Sequence, residues 1–301
     1  MVDAIQSMGI KDVVSTSRKN VIFQRHPIKF IFAVFLMKLG LSKFIKIHRK
    51  YYSLRFFPTP WCRTLWIEPN YWGEQDDFFN SYVKKNDIII DVGANIGTIT
   101  LTCATKTGEN GKVYSIEPNP VIFSYLESNI KLNDMKNVKT YNNAIGNKSG
   151  TVDFSIIRSD GQSKIIENEF KNDPVVQQGK IIRVPVLSID ELELQEPEFS
   201  LLKIDVEGYE KFVILGANKI IKKINCIYFE VIAKNYKKYG YTPKEIFDLL
   251  IKEGFKLFII SEKNTIKPID TNYNPYAANV LAIRKIDEFQ ERTGFLIDDK
   301  E

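Results

Sequence analysis

Residues 88–90 are three consecutive isoleucines, framed by Asp87 and Asp91 and followed by a turn from Gly93 to Gly97. A short β-branched run of this kind, bounded by turn residues, predicts a strand covered on both faces, as in a parallel sheet. A helix follows over about 96–106. The alternation then repeats, with a strand at 112–116, a helix over roughly 121–133 that opens on prolines, and a strand at 138–141. Three strands joined by two helices through short connections predict a doubly wound α/β sheet.

Residues 151–187 break this rhythm. Segments 151–157 and 181–187 alternate like half-exposed strands and predict an inserted antiparallel hairpin. Ser188 and Glu191 fit a capping box before a short helix. A strand at 201–206, a helix pair over about 209–223 interrupted at Gly216, and a strand at 224–231 come next. Thr242 caps a helix reaching about 253, and 255–260 with 277–283 form an antiparallel edge pair. A further helix is expected over 74–84. The chain divides into an N-terminal extension (1–73), a main domain (74–286) and a C-terminal tail (287–301).

Charge changes the picture of the extension. No Asp or Glu occurs from Val13 to Ile67, a span with eleven Lys and Arg residues; against a total of +5, this leaves −6 on the rest. Residues 1–19 are polar and are expected to hold little order. Residues 28–47 are apolar but interrupted by Lys29, Lys38, Lys43 and Lys46. The uncharged stretch 30–37 is far short of the ~20 residues that span a bilayer. One or two basic amphipathic helices are expected, packed on the main domain or lying on a membrane surface. The lysines share no single stripe, which favours packing. A basic head on a mildly acidic body suggests an anionic partner for residues 18–63, a membrane surface ahead of nucleic acid, with a solvated basic surface as the plain alternative. Residues 56–72 are dense in Pro and aromatics, as in a covering segment or a short β element leading into the main domain, with the aromatics serving core packing ahead of a substrate-stacking wall.

Composition adds little more. Hydrophobic content of 44% and charged content of 26% describe an ordinary globular chain. Cys62, Cys103 and Cys226 form no CxxC pair, which points to a reducing compartment. The N-terminus shows no secretory pattern, so a cytoplasmic protein, peripheral to a membrane if the head binds one, is expected.

The turn is where chemistry concentrates. Its pattern is D-x-G-x-N-x-G, with Asn95 where a dinucleotide fingerprint needs a glycine for close approach to pyrophosphate. Asp91 adds negative charge that repels phosphate and attracts a cation. Glu117, at the end of the second strand, is placed to accept both hydroxyls of a ribose. A cationic, phosphate-free nucleoside suits these residues, and no P-loop is present.

Five segments extend this reading: D-V-G-A-N-I-G from Asp91, I-E-P-N-P from Ile116, N-A-I-G from Asn143, L-L-K-I-D-V-E-G-Y-E from Leu201 and Y-F-E-V from Tyr228. In this order they resemble the FkbM family of S-adenosylmethionine (AdoMet)-dependent methyltransferases, over roughly residues 74–284. The resemblance implies a Rossmann-like class I sheet of seven strands, the last antiparallel, with AdoMet across the ends of strands one and two. By position, Asp91, Gly93, Ala94, Asn95 and Gly97 would hold the methionine end. Glu117 would hold the ribose, and Asn119 or Asn143 would lie near the adenine.

Methyl transfer to a hydroxyl usually needs a proton acceptor. The only histidines, His26 and His48, lie in the head. Asp205 and Glu207, after the fourth strand, are therefore the catalytic candidates, with Glu230 beside them. No metal is assigned, although Asp205, Glu207 and Glu230 together would suit a divalent cation. Each acid also has a structural reading: Asp205 and Glu207 as partners of Lys203 or helix caps, Glu117 as a cap of the helix after Pro118. Lys203 itself reads as an ion-pair partner. The expected acceptor is a small molecule or glycan: a sugar, polyketide, peptidic or lipid-linked metabolite. Its pocket would come from the head, the 151–187 insertion and the segment after Glu230. O-methylation is the leading reading. N-methylation, and a non-catalytic nucleoside- or membrane-binding module on the same fold, remain open.

Overall fold

The computed structural model describes residues 20–71, 73–156, 163–166, 180–262 and 264–298. The expectation for 1–19 lies outside them. The extension holds α1 (Val21–Arg25), α2 (Pro27–Lys38), the hairpin β1 (Lys46–His48) and β2 (Ser53–Arg55), and α3 (Pro60–Ile67). Helix α4 (Gly73–Tyr82) leads into β3 (Ile88–Val92), α5 (Thr98–Thr107), β4 (Lys112–Ile116), α6 (Pro120–Leu132) and β5 (Val138–Tyr141). The insertion contributes β6 (Ala144–Ile145), β7 (Gly150–Ile156), β8 (Lys164–Ile166) and β9 (Lys180–Leu187). Then come β10 (Phe199–Ile204), α7 (Glu210–Leu215), β11 (Ile224–Val231), α8 (Ala233–Lys238) and α9 (Pro243–Lys252). The chain closes with β12 (Lys256–Glu262), β13 (Thr265–Pro268), β14 (Ala278–Ile283), α10 (Ile286–Thr293) and β15 (Leu296–Ile297).

The main sheet has nine strands in the order β15-β13-β12-β14-β11-β10-β3-β4-β5. Strand β3 sits between β10 and β4, parallel to both, with Ile89 opposite Leu201 and Val113. Being hydrogen-bonded on both sides and covered on both faces, it is the isoleucine-rich strand. Strand β14 runs antiparallel to β11 and to β12. The seven strands from β5 to β12 are the doubly wound sheet expected, with the last in sequence antiparallel.

Two expectations need correction. The β12–β14 pair is not at the edge, because β13 and β15 pair beyond it. Residues 287–298 are not a loose tail. Phe289 and Phe295 are buried with Phe78 and Tyr82, the Tyr82 and Phe289 rings 5.5 Å apart. Gly294, at φ 71°, turns the chain after α10 so that β15 returns to the sheet.

The insertion contains the expected antiparallel hairpin, β7 with β9, from Gly150 opposite Val186 to Ile156 opposite Lys180. It widens into a second sheet, β6-β9-β7-β8. Phe154, Ile165 and Val184 bury that sheet against the main core.

The extension packs on the domain. Phe30, Ala33, Val34 and Met37 of α2 join Leu54, Phe56 and Leu65, and with them Ile96, Leu101 and Ile122 of the main domain. Two asparagines of α6 and its cap clamp β2. The Asn129 side chain accepts from Arg55 N (2.9 Å) and donates to Ile96 O (2.8 Å). Asn133 accepts from Ser53 N (2.8 Å) and donates to Ser53 O (2.7 Å). His48 lies exposed in β1. Cys62, Cys103 and Cys226 are all buried. Among the described residues no helix is long and apolar enough to cross a membrane.

Candidate active site

Strand β3 ends in a turn with three left-handed residues: Gly93 at φ 80°, Asn95 at 51° and Gly97 at 93°. A Cβ on Gly93 would stand 1.9 Å from the backbone oxygen of Asp205. Only glycine lets the ends of β3 and β10 meet there. Gly93 N and Ala94 N both donate to Ile116 O at 3.0 Å, which ties the turn to β4.

Lys203 holds the turn from below. Its Nζ donates to Gly93 O (2.7 Å) and lies 3.1 Å from Asp91 Oδ1 and 3.8 Å from Asp205 Oδ2. Burial works against the ammonium charge. Asp91 and Asp205 outweigh it and hold the Lys203 pKa above the usual lysine value. The other oxygen of Asp91 accepts from Thr100 Oγ1 (2.6 Å). Asp91 is wholly buried and does not line the cavity. The sequence reading had it facing the ligand; a buried lysine needs a counter-charge, and Asp91 supplies it.

Glu117 does line the cavity. Its Oε2 accepts from Asn95 N and its Oε1 from Asn119 N, each at 2.9 Å. Each oxygen retains capacity for a second donor. Burial raises its pKa to about 7, against the lowering effect of those two bonds. Asn119 is the cap of α6, its Oδ1 accepting from Val121 N (3.1 Å), and it stands away from the cavity wall. Asn143 lines the wall. Of the two adenine candidates, only Asn143 is available to a ligand. Gly93, Ala94 and Asn95 line the wall as well, whereas Gly97 sits behind them, where its missing Cβ leaves room for Leu126.

Asp205, Glu207 and Glu230 converge at the ends of β10 and β11. One carboxylate oxygen of each lies within 4.8 Å of the others. The loop that presents Glu207 is shaped by Glu210, whose Oε1 accepts from Val206 N (3.1 Å) and Gly208 N (3.4 Å). Glu207 takes φ 57°, and Asn235 Nδ2 donates to its Oε2 at 3.2 Å. Burial, reinforced by Asp205 and Glu210, pushes Glu207 up to about 8. Burial, with Asp205 and Glu207, does the same to Glu230. Hard oxygen donors in this arrangement suit a divalent cation as well as proton transfer.

The cavity measures about 430 Å³. Its far walls come from the extension (Pro60, Trp61, Arg63, Thr64) and from the insertion (Phe154, Ser163, Ile165). Ser163 Oγ is buried without a hydrogen-bond partner among the described residues. Arg63 lies over the Phe30 ring, 4.1 Å from its centre. Neither histidine reaches this cavity. Sequence reasoning missed Glu210 and Asn235 as supports, and Arg63 and Ser163 as wall residues. For the wall, the sequence offered the aromatic density at 56–72 and the expectation that the head and the 151–187 insertion build the pocket; the segment after Glu230, expected to join them, is not among the lining residues.

The sequence matches the methyltransferase FkbM domain over residues 91–257. It is 27% identical to the hexuronic acid methyltransferase AglP of Haloferax volcanii, over 59% of this chain and 68% of that one. It is 28% identical to methyltransferase sdnD of Sordaria araneosa, over 58% of this chain and 76% of that one. Among solved structures, methyltransferase FkbM of Methylobacillus flagellatus superposes with a TM-score of 0.44 at 14% identity, covering 87% of this chain and 59% of that one.

Proposed function

Because this chain belongs to the FkbM methyltransferase family, we propose that it is an AdoMet-dependent O-methyltransferase acting on a hydroxyl of a sugar-like metabolite. The donor set of the cavity fits that cofactor. Four carboxylates line it, those of Glu117, Asp205, Glu207 and Glu230, and the Lys203 ammonium is turned toward Asp91 and the turn carbonyls. A cation favours the ionised form of these carboxylates, three of which burial holds at near-neutral to mildly alkaline pKa, so the site suits a cationic nucleoside better than a phosphorylated one. AdoMet supplies an electrophilic methyl group on a sulfonium. The two oxygens of Glu117 would hold the ribose hydroxyls, Asn143 would lie beside the base, and Asp205 with the Gly93–Asn95 turn would face the cationic methionine end.

The observation that carries the reaction type is the placement of Glu207, a half-buried carboxylate in the cavity wall that Asn235 holds and whose pKa burial, Asp205 and Glu210 raise. Once ionised, it accepts the proton of the acceptor hydroxyl as the new O–CH3 bond forms. Trp61 and Phe154 give the cavity an apolar wall. Arg63 in the wall suits a carboxylate on the acceptor, in keeping with a hexuronic acid methyltransferase among the relatives.

Calorimetry with AdoMet and its demethylated product tests the cofactor. Failure of the folded protein to bind either overturns the reading. Transfer of labelled methyl to uronic-acid glycans tests the acceptor class. A second reading takes Asp205, Glu207 and Glu230 as a divalent-cation site, on the strength of their 4.8 Å convergence. Activity that survives a chelator supports the base. Loss restored by Mg2+ or Mn2+ supports the ion.

A further inference from the structure

Helix α2 is apolar on two opposite faces. Phe30, Ala33, Val34 and Met37 are buried against the domain. Ile28, Phe32, Phe35 and Leu39 are 84%, 51%, 45% and 55% exposed. Their spacing puts them on one stripe, and Lys29 and Lys38 fall about a quarter turn to either side of it at 3.6 residues per turn. Phe44, just beyond, is 75% exposed with the Lys43 ammonium 5.1 Å from its ring centre. Among the described residues, eight of the thirteen exposed large apolar side chains lie between Val21 and Tyr51. That concentration sits in the stretch that contains no acid. Two of the acids that approach it are engaged: Glu68 with His26 (3.0 Å) and Arg25, and Asp76 with Arg49.

We propose that this face of the extension docks on an anionic lipid bilayer, with Ile28, Phe32, Phe35, Leu39 and Phe44 entering the headgroup region and the flanking lysines meeting lipid phosphates. An apolar stripe edged by ammonium groups is the chemistry of an interfacial helix. A solvated surface leaves the aromatic residues without purpose, and a phosphate backbone has no use for a stripe this apolar. A second copy packed on the same face by a two-fold axis would bring the flanking lysines of the two copies toward one another, like charge against like. The extension that carries this face also supplies Trp61 and Arg63 to the cavity.

The test is co-sedimentation of the full chain with vesicles of phosphatidylcholine alone and of an equimolar mixture with phosphatidylglycerol. Binding is expected to the mixed vesicles and to weaken with salt. Replacing Lys29 and Lys43 by Gln should lower the affinity about fivefold per charge. Ile28→Glu with Phe44→Glu should lower it by about tenfold or more while leaving the melting temperature unchanged, since both side chains are exposed. Absence of binding, equal binding to neutral vesicles, or wild-type binding by the double Glu variant overturns the proposal. So does a dimer seen by light scattering and abolished by that variant, which would assign the face to a second copy.

Discussion

Glu117 and Glu207 are carboxylates held out of water by different means, and their behaviour should differ accordingly. Glu117 keeps two backbone donors, from Asn95 and Asn119. Glu117→Gln preserves its shape and removes its charge, so AdoMet affinity should fall by ~1–3 kcal/mol, the worth of a charged hydrogen bond. Calorimetry checks this, and wild-type affinity in the variant would place the ribose elsewhere. Glu207 sits among Asp205, Glu210 and Glu230, and its folded pKa of about 8 stands above the ordinary 4.5. The folded protein therefore binds more protons than the unfolded chain between those values. Stability must fall as pH rises across that window. The ligand-free melting temperature is expected to drop from the acid side to pH 8, and Glu207→Gln should lessen the drop. In the pH profile of kcat/KM, which reports the free enzyme, activity should rise toward pH 8 as Glu207 ionises, and Glu207→Gln should remove that limb.

At the scale of elements, the seam between β3 and β10 organises the site. Lys203 joins the two strands by reaching from β10 to Asp91 and to the carbonyl of Gly93. Lys203→Met leaves Asp91 charged and buried, and should cost about 3–5 kcal/mol in urea unfolding. Adding Asp91→Asn should recover part of that loss, because the stranded charge is gone. Gly93→Ala combines a strained φ with a Cβ at the Asp205 carbonyl. It should cost more than the ~1–3 kcal/mol of a left-handed residue alone. Gly93 and Lys203 stand in short contiguous motifs, so the residues of this seam were legible in the sequence, whereas the pairing of β10 with β3 came from the fold. The destination of Asp91 was not: a carboxylate at a strand end can face ligand or lysine, and the choice depends on what the neighbouring strand carries.

At the scale of the whole molecule, the site is assembled from three regions. The main domain brings the turn and the acids. The extension brings Trp61 and Arg63, and the insertion brings Phe154 and Ser163. Trp61→Ala should raise KM for the acceptor about tenfold, as for loss of one buried aromatic contact, with AdoMet affinity unchanged in the same protein. A parallel loss of cofactor affinity would show that the extension shapes the cofactor side too. The clamp of Asn129 and Asn133 on β2 explains how a basic segment outside the motif-bearing domain is held against its turn.

The doubly wound sheet, the glycine turn and the acid-rich strand ends were determined by the sequence alone. They depend on local periodicity and on contiguous motifs, whose physics acts within a few residues. Tertiary structure decided which acids face the cavity, which asparagine caps a helix and which lines the wall. It also decided that residues 287–298 close the sheet and that the extension roofs the site. Those outcomes rest on contacts between segments far apart in the chain, as between Tyr82 and Phe289. Burial sets the charge of Glu117 and Glu207 in the same way, and burial is a property of the packed chain.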